Sequence, residues 1–110
     1  MSVEKFTAAA QAHAMFTEQG DSTSANKAYN DVVSAREEMR NFPDHGIAAL
    51  KDLLTDSDPG VRLWASYYLL PTATVCATNT LADLSSESGL VAFSAKMTLQ
   101  EWNAGRLKVE

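Results

Sequence analysis

Apolar residues recur at helical spacing along nearly the whole chain, and glycine, proline and short polar clusters interrupt them. Phe6, Ala9, His13 and Phe16 fall at i, i+3, i+7 and i+10, which predicts a first helix from about Val3 to Glu18, stopped by Gly20. The cluster Asp21-Ser22-Thr23-Ser24 consists of N-cap formers. It opens a second and longest helix, running to about Phe42, with Ala25, Ala28, Val32, Ala35, Met39 and Phe42 on one stripe. Tyr29 and Val33 widen that stripe, so this helix should touch both the first helix and the hairpin beyond it. Lys27 and Asp31 pair at i, i+4 outside the stripe, and Arg36, Glu37, Glu38 and Arg40 read as a solvated charged face.

Proline disfavours a helical Phe42, so Phe42-Pro43-Asp44-His45-Gly46 breaks the chain, with Asp44 placed to cap a third helix. The stretch from Gly46 to Leu70 then reads as two helices folded back on each other. Ile47, Leu50 and Leu54, with Leu53 beside them, form one apolar stripe. Thr55-Asp56-Ser57-Asp58-Pro59-Gly60 supplies the turn, where the Asp58 carboxylate can accept the amide of Gly60 or Val61 and Pro59 suits the first helical position. On the fourth helix Val61, Trp64, Ala65, Tyr68 and Leu69 fall on one face, expected to pack on the Ile47 stripe, and Pro71 ends the run. The fifth helix, about Thr72 to Ser85, is rich in Thr and Asn and must draw its stability from packing. A turn at Ser85 to Gly89 leads to a sixth, apolar on two faces: Leu90, Phe93 and Met97 on one, Val91, Ala95, Thr98 and Trp102 on the other. It should lie sandwiched, with Gly105 ending it and residues 106–110 forming a tail.

Leu50, Leu53, Leu54, Asp56, Asp58-Pro59, Val61-Arg62, Ala65 and Leu69 together resemble the pattern of a HEAT repeat, a helical hairpin of the α-solenoid class. A second copy sets Gly60, Val61, Trp64, Ala65 and Leu70 against Gly89, Leu90, Phe93, Ser94 and Leu99, without the Asp-Pro or the arginine. The segments GVRLWASYYLLP and GLVAFSAKMTLQEWNAG resemble a bacterial family of small single-domain HEAT-like proteins of unknown function. The resemblance implies structural roles for Asp56, Asp58, Pro59, Arg62 and Trp64, and brings no established activity with it. The expected architecture is all-α: a short right-handed superhelix of about six helices in one domain over residues 1–110, its three stacked hairpins spanning about 3–42, 45–70 and 72–104.

At 110 residues and 45% hydrophobic content the chain is long enough for a self-sufficient core. Nine basic against fourteen acidic residues give a net charge of −5, with no cluster of Lys or Arg. This disfavours nucleic-acid partners, which need a concentrated basic face, and suits a basic protein instead. The longest apolar-leaning run, Val61 to Ala77, is broken by Arg62 and Pro71, so no membrane span is expected. The N-terminal stretch has no basic region and carries Glu4, making a poor signal peptide, and the chain is placed in the cytoplasm. The lone Cys76, without a basic neighbour, reads as a buried or half-buried structural thiol.

Candidate chemistry is sparse. His13 lies on an apolar face with no carboxylate, cysteine or second histidine at helical spacing, and His45 beside Asp44 reads as an exposed turn. Asp56 to Gly60 resembles the start of a calcium loop, but Val61 and Tyr67 stand where that loop needs glycine and a bidentate glutamate. Glu37 and Glu38 diverge by about 100° on a helix and cannot act as a pair. No phosphate loop, zinc-binding helix or nucleophile elbow occurs. No catalytic residue, cofactor or metal is therefore expected. Leu63, Tyr67 and Trp102 lie off the main buried stripe; they either meet the sixth helix or form a protein interface. The function expected is a non-enzymatic protein-interaction module, for instance an immunity or inhibitor protein against a basic toxin enzyme. Two alternatives remain: a ligand pocket or enzyme site where His13, Tyr29, Cys76 or Tyr68 converge, and a homo-oligomer burying Tyr67, Leu63 or the Ala-rich first helix.

Overall fold

The computed structural model describes residues 3–109. Among them are six α-helices in order: α1 (Val3–Glu18), α2 (Ser22–Met39), α3 (Pro43–Leu53), α4 (Pro59–Leu69), α5 (Thr74–Ser85) and α6 (Leu90–Asn103). Local chemistry sets their boundaries. Gly20 takes φ 75° after α1, the Asp21 carboxylate accepts the Ser24 amide at the start of α2, and the Asp58 carboxylate accepts the Val61 amide (3.1 Å) at the start of α4. The Asp56 carboxylate accepts the amide of Asp58 (2.9 Å) and so braces the turn that presents this cap. Asp44 does not cap α3: the helix begins one residue earlier, at Pro43, leaving Asp44 inside its first turn and Phe42 at the N-cap without a side-chain bond. The α6 N-terminus is closed from another element, since the Glu18 carboxylate at the end of α1 accepts the Leu90 amide (2.8 Å).

Helix α4 sits at the centre, packed on α1, α3, α5 and α6. The three sequential pairs α1/α2, α3/α4 and α5/α6 each pack together, and α1 also reaches α6, so the first and last hairpins meet across α4 within a body of 33 × 30 × 26 Å. One core runs through all six helices and includes Phe6, Val32, Met39, Leu50, Val61, Leu69, Leu81 and Ala95. The α1–α4 crossing is tight because Gly60 has no side chain: a Cβ there would come within 2.6 Å of the Ala14 Cβ and 3.0 Å of the Ala10 carbonyl oxygen. An Arg62–Glu87 ion pair (3.4 Å) joins α4 to the α5–α6 turn, with the Arg62 Nε buried and unpartnered among the described residues.

Three expectations about burial change. Cys76 is exposed, because Ala77, Leu81 and Leu84 turn inward on α5 and the preceding position is rotated out by about 100°. Helix α6 is not sandwiched: Val91, Ala92 and Ala95 face the core, while Leu90, Phe93 (60% exposed) and Met97 look outward. The segment after α6 is more than a tail, since Leu107 and Val109 pack against the core and Arg106 clamps Glu101 through two hydrogen bonds (2.7 and 3.1 Å). Glu110 lies outside the described residues.

Candidate functional site

Along one side of α4, half-buried Leu63, Trp64 and Tyr67 and the edge of the buried Tyr68, at i, i+1, i+4 and i+5, form the floor of an open groove. Helices α1 and α2 form one wall through His13 and Tyr29. Helix α6 forms the other through Ser94 and Thr98. The central hollow measures about 270 Å³. It continues at one end into a small cleft beside Thr17, Gly60 and Leu90, and at the other into a hollow of about 160 Å³ lined by Val33, Arg36, Glu37, Arg40 and Lys108. From Gly60 to Tyr68 the floor extends eight residues, or about 12 Å of helix.

Aromatic rings set the character of the groove. Trp64 is its hub, with ring-centre distances of 5.3 Å to His13, 5.8 Å to Tyr29, 5.7 Å to Tyr67 and 6.0 Å to Tyr68. The His13 and Tyr67 contacts are edge-to-face, as ring quadrupoles favour. The Trp64 indole Nε1 donates a long hydrogen bond to His13 Nδ1 (3.4 Å), a contact that requires the imidazole to be unprotonated at that nitrogen. Burial holds the His13 pKa below its ordinary value, in keeping with that neutral ring. Tyr68 is almost fully buried and packs on Phe6 beneath the groove; burial first, then Tyr67 and Tyr29, push its phenol up to about 12 despite Arg40 and Arg36 nearby.

Arg36 departs most from its sequence reading. Its residue is only 8% exposed, its guanidinium carbon lies 5.6 Å from the centre of the Tyr68 ring, and its Nε has no hydrogen-bond partner among the described residues. It stands at i+4 from Val32 and i+3 from Val33, so the flank of the apolar stripe was the signal that could have marked it. Glu37 and Glu38 are exposed, and Glu38 pairs with Lys5 across α1 and α2 (2.8 Å).

Of the residues singled out from sequence, His13, Tyr29 and Tyr68 do converge, around Trp64. Cys76 does not join them, being exposed on α5 with no part in the groove lining. Leu63 and Tyr67 are half-buried in the groove floor. Trp102 is half-buried near the end of α6, packed against the core and apart from the groove lining. Trp64 itself is half-buried at the edge of the α4 stripe, with the sealed part left to Val61, Ala65, Tyr68 and Leu69. Ser94, Thr98 and Lys108 were not legible as groove residues, because their position depends on how α6 and the chain after it cross α4. Among the described residues no three His, Cys, Asp or Glu side chains gather as a metal-ligand set, and no helix is long and apolar enough to cross a membrane. No family model matches this chain, and no curated protein and no solved structure matches it either.

Proposed function

We propose that this chain is a non-enzymatic protein-interaction module whose partner binds in the groove floored by α4. The observation that carries the reading is the placement of Tyr29, 47% exposed, with half-buried Trp64 and Tyr67 around one open hollow. Amphipathic rings clustered at the centre of a concavity are the usual anchors of protein recognition. The HEAT-like character belongs to the same proposal. It is supported by three successive helix pairs, by the Asp58-Pro59 start of α4, and by the Arg62–Glu87 bridge between neighbouring hairpins. A bacterial, cytoplasmic immunity or inhibitor protein is one form this module would take, the net charge of −5 suiting a basic target around the groove.

The test is capture of a partner from the source cell, followed by binding of the purified partner to wild type and to a Tyr29→Ala/Tyr67→Ala variant with unchanged circular dichroism. Loss of binding in the folded variant supports the groove. Undiminished binding moves the interface elsewhere. A second reading, a small-ligand site, is favoured by the convergence of His13, Tyr29 and Tyr68 on a hollow of about 270 Å³. It predicts that a metabolite thermal-shift screen finds a compound that stabilises wild type and fails to stabilise that variant.

A further inference from the structure

Resting on the reading of the groove as the interaction surface, we infer what kind of segment it receives. The central hollow takes an uncharged, proline-rich stretch of a protein in the polyproline II conformation, with its rings packed on Tyr29, Trp64 and Tyr67 and its backbone carbonyls bonded by the hydroxyls of Ser94 and Thr98.

The two hydroxyls are the strongest pointer. Elsewhere in the helices Thr7, Thr17, Thr74, Thr78 and Thr80 each donate to the backbone carbonyl four residues back, the local partner such a group ordinarily takes. Ser94 and Thr98 do not. They stand half-buried, one turn apart on the α6 wall, and among the described residues neither hydroxyl has a hydrogen-bond partner. His13 supplies a further donor. The Trp64 indole can only donate, so His13 Nδ1 accepts from it and the neutral imidazole carries its proton on Nε2. Charge is missing from the hollow: no Asp, Glu, Lys or Arg lines it, in a chain where 21% of residues are charged. A charged occupant would lose water there and gain no counter-ion, so an uncharged one matches.

These features discriminate among protein segments. A helix laid in the groove keeps its carbonyls for itself and would bury the Ser94 and Thr98 hydroxyls without partners. An ordinary extended segment offers carbonyls but adds amides, which would need acceptors in a hollow lined by no carboxylate or side-chain amide. Proline has no amide hydrogen, and polyproline II leaves every carbonyl unbonded along a chain that rises about 3.1 Å per residue. Ser94 and Thr98, about 6 Å apart along α6, therefore each find a carbonyl within reach. Proline-rich segments dock on aromatic surfaces, and the rings of Tyr29 and Tyr67 lie 5.8 and 5.7 Å from that of Trp64, centre to centre. Such a segment is stiff before it binds, so little conformational entropy is lost on docking. Shared lining residues carry the central hollow into a further hollow at each end, so a chain can run through it where a small ligand would be enclosed.

Three uncharged probes added to the full chain test this: an acetylated and amidated peptide with a run of prolines between Gly-Ser ends, the same peptide with alanines for the prolines, and cellotetraose, a neutral oligosaccharide. Binding is read from the NMR shift of the Trp64 indole N–H. The proline peptide is expected to bind saturably, about tenfold tighter than the alanine peptide. A Ser94→Ala/Thr98→Val variant with unchanged circular dichroism should bind the proline peptide about fivefold more weakly. Equal affinity for the proline and alanine peptides would overturn the polyproline proposal while leaving the groove as an interaction surface. Undiminished affinity of the folded Ser94→Ala/Thr98→Val variant would overturn it as well, because the hydroxyls would then not hold the segment. Cellotetraose binding more tightly than the proline peptide would overturn it in favour of a glycan. With no peptide bound the proposal fails, and a captured partner that is lost in Tyr29→Ala/Tyr67→Ala would show the groove reading standing without it.

Discussion

Single residues in this molecule are informative where polarity and burial disagree. His13 is half-buried, accepts from the Trp64 indole through Nδ1, and has its pKa lowered from 6.5 by desolvation. Its unfolded counterpart takes up a proton near pH 6.5, while the folded ring resists until lower pH. The unfolded state therefore binds more protons in the window just below 6.5, so stability falls as pH drops through that window and is level above it. Urea unfolding at about pH 7.5 and about pH 5.5 checks this: wild type should lose more stability on acidification than His13→Gln. Trp64 and Phe6 form a second residue-scale contrast. Phe6 is fully buried, and Phe6→Ala should cost about 3 to 5 kcal/mol. Trp64→Ala, at a half-exposed ring, should cost clearly less in the same denaturation experiment, although the sequence stripe alone ranks both as core.

At the level of elements, most of the helix plan was legible in the order of residues alone. Asp21, Asp58, Pro59 and Gly20 act within a few residues of themselves, so their caps and stops can be read without any knowledge of the fold. The errors came where a long-range contact decides. Helix α6 carries apolar residues on two faces, and nothing in its own sequence states that Leu90, Phe93 and Met97 go without cover. Arg36 sits among Glu37, Glu38 and Arg40, a setting that reads as solvent-facing, until the flank of α2 is laid against Tyr68. The aromatic hollow was half legible: His13, Tyr29 and Tyr68 could be named, but their meeting point depends on α1 crossing α4 at Gly60. Two substitutions measure that element and its start. Asp58→Ala removes the α4 cap and should cost about 1 kcal/mol. Gly60→Ala, a gain in helix propensity on paper, should instead destabilise by about 1 to 3 kcal/mol, because the new Cβ would overlap Ala14 and force α1 away. A stabilised Gly60→Ala variant in thermal unfolding would show that α1 and α4 cross less closely than this.

For the molecule as a whole, the contact between its first and last hairpins matters most. An open helical array couples each repeat only to its neighbours, so its ends can unfold separately from its middle. Here α1 touches α6 as well as α4, the Glu18 carboxylate holds the Leu90 amide across the closure, and one core draws side chains from all six helices. Each hairpin is therefore coupled to both others, and unfolding should be a single cooperative event. The chain's two tryptophans make this measurable, since Trp64 reports on the central hairpin and Trp102 on the last. In Trp102→Phe and in Trp64→Phe, the fluorescence midpoint in urea should coincide with the circular dichroism midpoint of the same variant, which makes each protein its own control for altered stability. Coincidence in both identifies a closed cooperative unit with a preformed groove. Separation in either variant would break the single cooperative unit, and an early Trp102 transition in Trp64→Phe would mean that the last hairpin opens on its own, leaving the α6 wall of the groove ordered only when a partner fills it.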